Sequence, residues 1–371
     1  MSFFPSTSVL IDKALDIISY QFDPVVPIDP RKKIVVIGYG WGGKSFCDNI
    51  NHSKYNVSVI SKTDYMLNTP KLKNSLRENH LDLQIFPKDK FKMINEECTD
   101  INMDKNTVMI GNRNVYYDYL VLAVGSEVND FNIKGVKENC FYFKNLDDLN
   151  KIKEKISLID SNKDKGKDKV KGDLTPNSQI VILGAGAVGI ELAFQMKKLF
   201  KNVQILEASD KILPMFKEQS TQIVLEELKN LNIKLLLNNH VSLIDKNIIT
   251  TNKNTYYYDL AIWTCGIKPN PLIQKVTKDR LLMVDNNLRF KNNLFGIGDI
   301  VGGMGPSTAQ NATQQGKYLA GYFNNNFEGA GYVYNERGKI IHAKDNMIIE
   351  TQLGSSKVSN MLENLIDRFI G

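Results

Sequence analysis

The 371 residues imply an α/β protein of two doubly wound domains, the second inserted in the first, with a short amphipathic helix at the C-terminus. Three observations carry this expectation. A buried-strand run, a glycine turn and a helical pattern follow one another at residues 34–43, and the same order recurs at 179–189. Strand and helix patterns continue after each, as in parallel sheets with crossover helices. Far downstream, residues 293–299 form one more short apolar strand closed by Gly298-Asp299, where an architecture of this kind completes its first domain.

Residues 1–30 read as a helix over 9–18, where apolar groups recur at helical spacing, and a linker whose prolines Pro24, Pro27 and Pro30 end it. The first domain is expected over 31–150 and 270–330, the inserted one over 151–269, and a short C-terminal segment over 331–371. Residues 161–171, rich in Lys with two Asp, read as a solvated linker or loop.

Composition excludes several classes. With 42% hydrophobic and 24% charged residues the chain is ordinary globular protein, not a disordered one. The net charge of +6 is spread along the chain, so no nucleic-acid partner is expected. Cys47, Cys98, Cys140 and Cys265 lie far apart without a Cys-x-x-Cys, which argues for a reducing compartment and against a metal site or a dithiol pair. The histidines His52, His80, His240 and His342 fall in no catalytic spacing. No run approaches the roughly 20 apolar residues that span a bilayer. The first residues show neither a secretory signal nor an Arg-rich import sequence.

Ile34-Val-Val-Ile37 leads directly into Gly38-Tyr39-Gly40-Trp41-Gly42-Gly43. Alone, Gly-x-Gly-x-x-Gly is weak; between a strand and a helix it is the dinucleotide fingerprint of a Rossmann-like domain. Gly38 permits the tight turn, Gly40 lets a pyrophosphate approach the backbone, and Gly43 lets helix and strand pack closely. The phosphates then meet the helix N-terminus, whose unpaired N–H groups and dipole favour an anion. The competing reading is a glycine-rich turn in an unrelated domain. The next strand ends at Ser61, where the fingerprint has an acidic residue on the ribose; the hydroxyl makes a weaker contact.

Gln179-Ile-Val-Ile-Leu183 leads into Gly184-Ala185-Gly186-Ala187-Val188-Gly189, and the following strand ends in Glu207, about 20 residues beyond the glycines as the fingerprint requires. A carboxylate there accepts from both ribose hydroxyls and repels a 2′-phosphate, so NADH is expected rather than NADPH. The alternative is a surface carboxylate after a strand. Downstream, Gly298-Asp299 offers a carboxylate to the ribityl hydroxyls of a flavin, so FAD is expected in the first domain. A helix is expected to begin near Ser307, since Pro306-Ser-Thr-Ala-Gln310 supplies a rigid entry and a hydroxyl cap before Ala309 to Phe323. Aimed at a flavin, its dipole would stabilise negative charge on the reduced ring.

Over residues 31–325 the chain resembles the type II NADH:quinone dehydrogenases, particularly the mitochondrial form of fungi, plants and protists. The likeness runs through Asn56-Val-Ser-Val-Ile-Ser61 with Tyr65 and Thr69-Pro70, Tyr117-Asp-Tyr-Leu-Val-Leu-Ala123-Val-Gly125 and Ile133-Lys-Gly-Val136. It continues through residues 184–191, 203–207 and 298–299, and from Pro306-Ser-Thr-Ala309-Gln310 through Gln314 to Leu319. The resemblance implies FAD and NADH as cofactors, a quinone as acceptor and no proton pumping. It implies cofactor contacts at Trp41, Gly42, Ser61, Thr69, Pro70, Ala123, Gly125, Gly266 and Asp299 besides the two glycine turns. Ala309, Gln310 and Gln314 would line the quinone pocket, and Glu191 matches a family carboxylate near the reacting centre. The other readings are a helix-capping amide for Gln310 and a favourable acid at a helix N-terminus for Glu191.

Departures from the family pattern are Met66, Asn68 and Lys71 around the Thr-Pro, the lack of an EF-hand insertion, and a short tail. In that tail Val358, Met361, Leu362, Leu365, Ile366, Phe369 and Ile370 share one helical stripe, which could lie in a membrane interface, form a homodimer seam or cover the body. The expected location is cytoplasmic or peripheral on a membrane, the mitochondrial inner membrane by resemblance. Two rival functions are an NADH flavoenzyme with a protein or oxygen acceptor and a redox-inactive NADH-binding sensor or scaffold. A disulfide reductase is disfavoured by the missing cysteine pair.

Overall fold

A strand covered on both faces must be apolar throughout, and Ile34-Val-Val-Ile37 and Ile180-Val-Ile-Leu183 have that character. Each lies at the middle of a parallel sheet, with none of these side chains more than 4% exposed. The computed structural model describes residues 29–76, 83–161, 178–214, 216, 218–329 and 331–332. The expected helix at 9–18, all but the first residue of the loop at 161–171, and the C-terminal stripe lie outside the described residues.

The principal elements begin with β1 (Lys32–Ile37), α1 (Trp41–Asn49), β2 (Tyr55–Ser61), β3 (Lys92–Asn95) and β4 (Tyr119–Leu122). Next come β5 (Phe141–Tyr142), α2 (Leu146–Ser161), β6 (Gln179–Leu183), α3 (Ala187–Lys197), β7 (Asn202–Leu206), α4 (Glu218–Asn230), β8 (Lys234–Leu236) and β9 (Leu260–Trp263). Last are β10 (Arg289–Lys291), β11 (Leu294–Gly296) and α5 (Ala309–Asn324).

The first sheet has the order β10-β11-β4-β1-β2-β3 and the second β5-β9-β6-β7-β8. The second is wholly parallel, and the first is parallel except for β10 against β11. Because β10 and β11 return to the first sheet after the second is complete, the second domain is an insertion. The two crossings run side by side, Ser126–Val128 pairing antiparallel with Ile267–Pro269. The strand order reverses at β1 and at β6, so the crevice beyond the carboxyl end of each is a topological switch point, where open α/β sheets bind ligands. The expected boundary at 150–151 falls inside α2, and β5 already pairs with β9, so the chain enters the second sheet at Phe141.

Helices α1 and α5 pack with backbones touching, since a side chain on Gly316 would overlap the Gly42 carbonyl oxygen. They run in the same direction: Ser45 Oγ donates to the Thr313 carbonyl near their starts, and Asn324 Nδ2 donates to the Asn49 carbonyl at their ends. Both N-termini therefore open on one side. Phe46, Phe295 and Phe323 fill the space behind, with ring centroids 5.6 and 4.9 Å apart in edge-on pairs. Leu72, Leu76 and Leu83, which lie in the first domain by chain position, pack instead in the hydrophobic core of the second sheet.

Candidate active site

The chain leaves β1 through Gly38, whose φ of +99° suits glycine and whose N–H donates to the Ile60 carbonyl at 2.8 Å. A Cβ on Gly38 would overlap the Ala123 carbonyl oxygen, and one on Gly43 would overlap that of Gly38. Gly40 is different. It is the N-cap of α1, no side chain caps it, and a Cβ there would meet nothing within 4 Å. Unpaired helix N–H groups facing open space fit the pyrophosphate of a dinucleotide. Ser61 ends β2 beside this turn, and Thr63 N–H donates to its hydroxyl at 3.4 Å. Trp41 Nε1 donates to Thr69 Oγ1 at 3.1 Å, which ties the exposed Thr69-Pro70 to the start of α1.

The second turn repeats the construction. Gly184 has φ +104° and donates to the Leu206 carbonyl at 2.8 Å, and a Cβ on Gly189 would overlap the Gly184 oxygen. Gly186, the N-cap of α3, has neither a side-chain cap nor a neighbour within 4 Å of where a Cβ would stand. Glu207 accepts from the Ala185 N–H through one carboxylate oxygen and from the Ser209 N–H through the other, both at 2.7 Å. Each oxygen keeps a lone pair for a ribose hydroxyl to donate to, so this pair of acceptors suits the adenosine half of NADH. Gly266, with φ +62°, follows β9, and a Cβ there would stand 3.0 Å from the edge of the Phe131 ring. Replacing Glu207 by Gln removes the charge that would repel a 2′-phosphate while keeping one acceptor. The NADH-to-NADPH ratio of kcat/KM is expected to fall about tenfold in steady-state assays; an unchanged ratio would remove Glu207 from cofactor selection.

Glu191, two residues after Gly189 and just past the first turn of α3, is ion-paired with Lys73 Nζ from the segment that follows Thr69-Pro70. Their side chains are 22% and 16% exposed. Together with Leu72 and Leu76 in the second core, this pair fastens the Thr-Pro segment of one domain onto the nucleotide helix of the other. Lys73→Met leaves the Glu191 carboxylate without its cation. KM for NADH is expected to rise about three- to tenfold with a smaller change in flavin content; equal losses of flavin and NADH affinity would mean general misfolding instead.

Helix α5 begins at Ala309 and is capped by Thr308, whose Oγ1 accepts from the Asn311 N–H at 3.2 Å. Gln310 is therefore not the cap. Its Nε2 is buried and has no hydrogen-bond partner among the described residues. Gln314 lies one turn further along the same face, half-buried, and Ala309 is half-buried at the helix head. Behind them Gln315, only 1% exposed, accepts from the Gly298 N–H at 2.6 Å and donates to the Met304 carbonyl at 3.0 Å. Asp299 accepts from Ser126 Oγ at 2.6 Å, and Lys144 Nζ donates to the same Ser126 oxygen at 2.8 Å.

The family model of the pyridine nucleotide-disulphide oxidoreductases matches residues 32–316. The chain belongs to that family. A probable NADH dehydrogenase of Dictyostelium discoideum is 31% identical over 343 residues, covering 80% of this chain and 74% of the relative. A probable mitochondrial NADH-ubiquinone oxidoreductase of Schizosaccharomyces pombe is 28% identical over 396 residues, 91% of this chain and 68% of its own. An external alternative NAD(P)H-ubiquinone oxidoreductase of Arabidopsis thaliana mitochondria is 29% identical over 335 residues, and the chain spans only 56% of its length. Among solved structures, NDH2 of Plasmodium falciparum in complex with NADH superposes with a TM-score of 0.71 at 22% identity, over 86% of each chain, which shows a common fold. Within the pyridine nucleotide-disulphide oxidoreductases this chain groups with the type II NADH dehydrogenases, as the sequence resemblance implied.

The disulphide in the family's name finds no dithiol here. Cys47, Cys98, Cys140 and Cys265 are free; burial pushes the Cys98 thiol up to about 11 and the Cys140 thiol up to about 12, and raises Cys47 and Cys265 as well. All four stay protonated at neutral pH, the form that does not attack disulfides. Lys73, Ser126, Lys144 and Gln315 are members of the site that motif reading missed. Only Gln315 had a signal in the sequence, its place one residue beyond Gln314 on the same helix.

Proposed function

We propose that this dehydrogenase takes a hydride from NADH and delivers two electrons to a quinone, with FAD bound in the first domain and NADH on the second. The observation that carries the reading is the buried Gln310 Nε2 at the head of α5, which has no hydrogen-bond partner among the described residues, on the side where α1 also opens. When bound, the flavin supplies the chemistry, accepting the hydride and handing electrons on. The chain's residues do the rest. The turn at Gly38, Gly40, Trp41, Gly42 and Gly43, with Ser61, Ala123, Gly125, Gly298 and Asp299, holds the flavin nucleotide. The turn at Gly184, Gly186 and Gly189, with Glu207 and Gly266, holds NADH and selects it over NADPH. Thr69-Pro70 walls the reacting centre, and the Glu191 carboxylate, steadied by Lys73, orients the nicotinamide. Ala309, Gln310 and Gln314 receive the quinone, whose carbonyl oxygen is the acceptor that the Gln310 N–H lacks. The ubiquinone in the names of the yeast and plant relatives supports that acceptor class.

The test is an anaerobic visible spectrum of the purified protein, with NADH added first and a short-chain quinone second. Flavin bands that bleach with NADH and return with quinone are the expected result. Flavin that stays oxidised under NADH would replace this reading with the sensor or scaffold.

The apolar stripe over residues 358–370 supports peripheral contact with the membrane that dissolves the quinone, and the relatives named as mitochondrial support a mitochondrial membrane. No helix among the described residues is long and apolar enough to cross a bilayer. Deleting residues 355–371 should abolish flotation with anionic vesicles. Retained flotation with a shift from dimer to monomer would assign the stripe to a homodimer seam instead.

A further inference from the structure

Asp299 is held from the far side of the domain boundary. Lys144 follows β5, the edge strand of the second sheet, whereas Asp299 follows β11 of the first. The lysine's backbone is anchored by a reciprocal cap at the start of α2. Asp148 Oδ2 accepts from the Lys144 and Asn145 N–H groups at 2.9 and 3.1 Å, while Asn145 Oδ1 accepts from the Asp148 N–H at 2.8 Å. From this fixed point the ammonium reaches the Ser126 hydroxyl at the domain crossing.

Donor and acceptor counts then settle the direction of the chain of bonds. An ammonium only donates, so Ser126 Oγ accepts from Lys144 and its hydrogen is left for Asp299 Oδ2. Among the described residues nothing donates to the other oxygen of Asp299. Burial lowers the Lys144 pKa, and the carboxylates of Asp299, Glu127 and Asp148 act against that shift.

We propose that Lys144 is a positioning residue for the flavin: through the Ser126 hydroxyl it fixes the Asp299 carboxylate with one oxygen anchored and the other presented to the ribityl hydroxyls. This rests on the reading that FAD occupies the first domain. A cation placed there by the second domain also ties the grip on the flavin to the docking of the two domains.

The experiment is FAD release from the holoprotein on dilution, read by the recovery of flavin fluorescence, with NADH binding to the second domain measured on the same samples. Lys144→Met keeps the length and apolar stem of the side chain, so a purely packing role would leave FAD affinity unchanged. The expected result is a dissociation constant for FAD raised about ten- to hundredfold, the range for loss of a hydrogen bond involving a charged group. Ser126→Ala should give a comparable loss, and the double variant should be little worse than either single one, because both cut the same chain of bonds. Lys144→Arg should recover part of the affinity. Unchanged FAD release in both single variants, or fully additive losses in the double variant, would overturn the role of Lys144. A wild-type protein that binds no FAD would overturn the flavin reading beneath it, a distinguishable failure.

Discussion

Gly43→Ala is expected to give a protein that still binds NADH but has lost most of its flavin. The added methyl would overlap the Gly38 carbonyl oxygen at the closing point of the first turn. That oxygen is backbone and cannot rotate aside, so helix α1 must move away from β1. Forcing even one methyl into such a contact costs about 1–3 kcal/mol or more. Because the displaced atoms are the N–H groups meant for the pyrophosphate, much of that cost falls on cofactor binding. Flavin content, read as the visible-to-ultraviolet absorbance ratio, should drop by at least about tenfold.

Gly189→Ala is the mirror experiment. Its methyl would overlap the Gly184 oxygen and crowd Thr264 Oγ1 in the second turn. Flavin should be retained while KM for NADH rises about tenfold or more. The crossed pattern, flavin lost from the first variant and NADH affinity from the second, assigns one cofactor to each turn. Flavin retained at full occupancy in Gly43→Ala would refute that assignment.

Gln310→Leu is expected to separate the two halves of the reaction. Leaving a buried donor unpaired costs about 1–3 kcal/mol, and the Gln310 Nε2 stands in that condition. Leucine, of similar size, removes the unmet donor, so the melting temperature should hold or rise slightly. The quinone carbonyl loses its partner at the same time. In anaerobic stopped-flow, flavin bleaching by NADH should keep its rate, while reoxidation by quinone slows about ten- to hundredfold. Stability kept with one half-reaction lost is the signature of a group maintained for function at a cost to the fold. An unchanged quinone rate would place the acceptor site elsewhere.

Both glycine turns, the strands that lead into them, Glu207 at its distance from the second turn, Gly298-Asp299 and the start of α5 within two residues were readable from the chain. Each is set by short-range pattern: consecutive apolar residues, a glycine where a side chain would overlap, a hydroxyl at a helix N-cap. Apart from Glu207, whose spacing spans one helix and one strand, such features depend on neighbours within a turn or two, and the amino-acid order contains them outright.

Other features required the folded chain. The sequence alone left Gln310 open between a cap and a substrate contact, and the bond from Asn311 N–H to Thr308 removed the first of these. The pairing of Lys73 with Glu191, the path from Lys144 through Ser126 to Asp299, and the burial of Leu72 and Leu76 in the other domain's core join residues that no periodicity relates. Strand β5, only two residues long, carries too little pattern to announce which sheet it joins. These contacts arise where two separately patterned sheets meet, so only the tertiary structure brings the partners together.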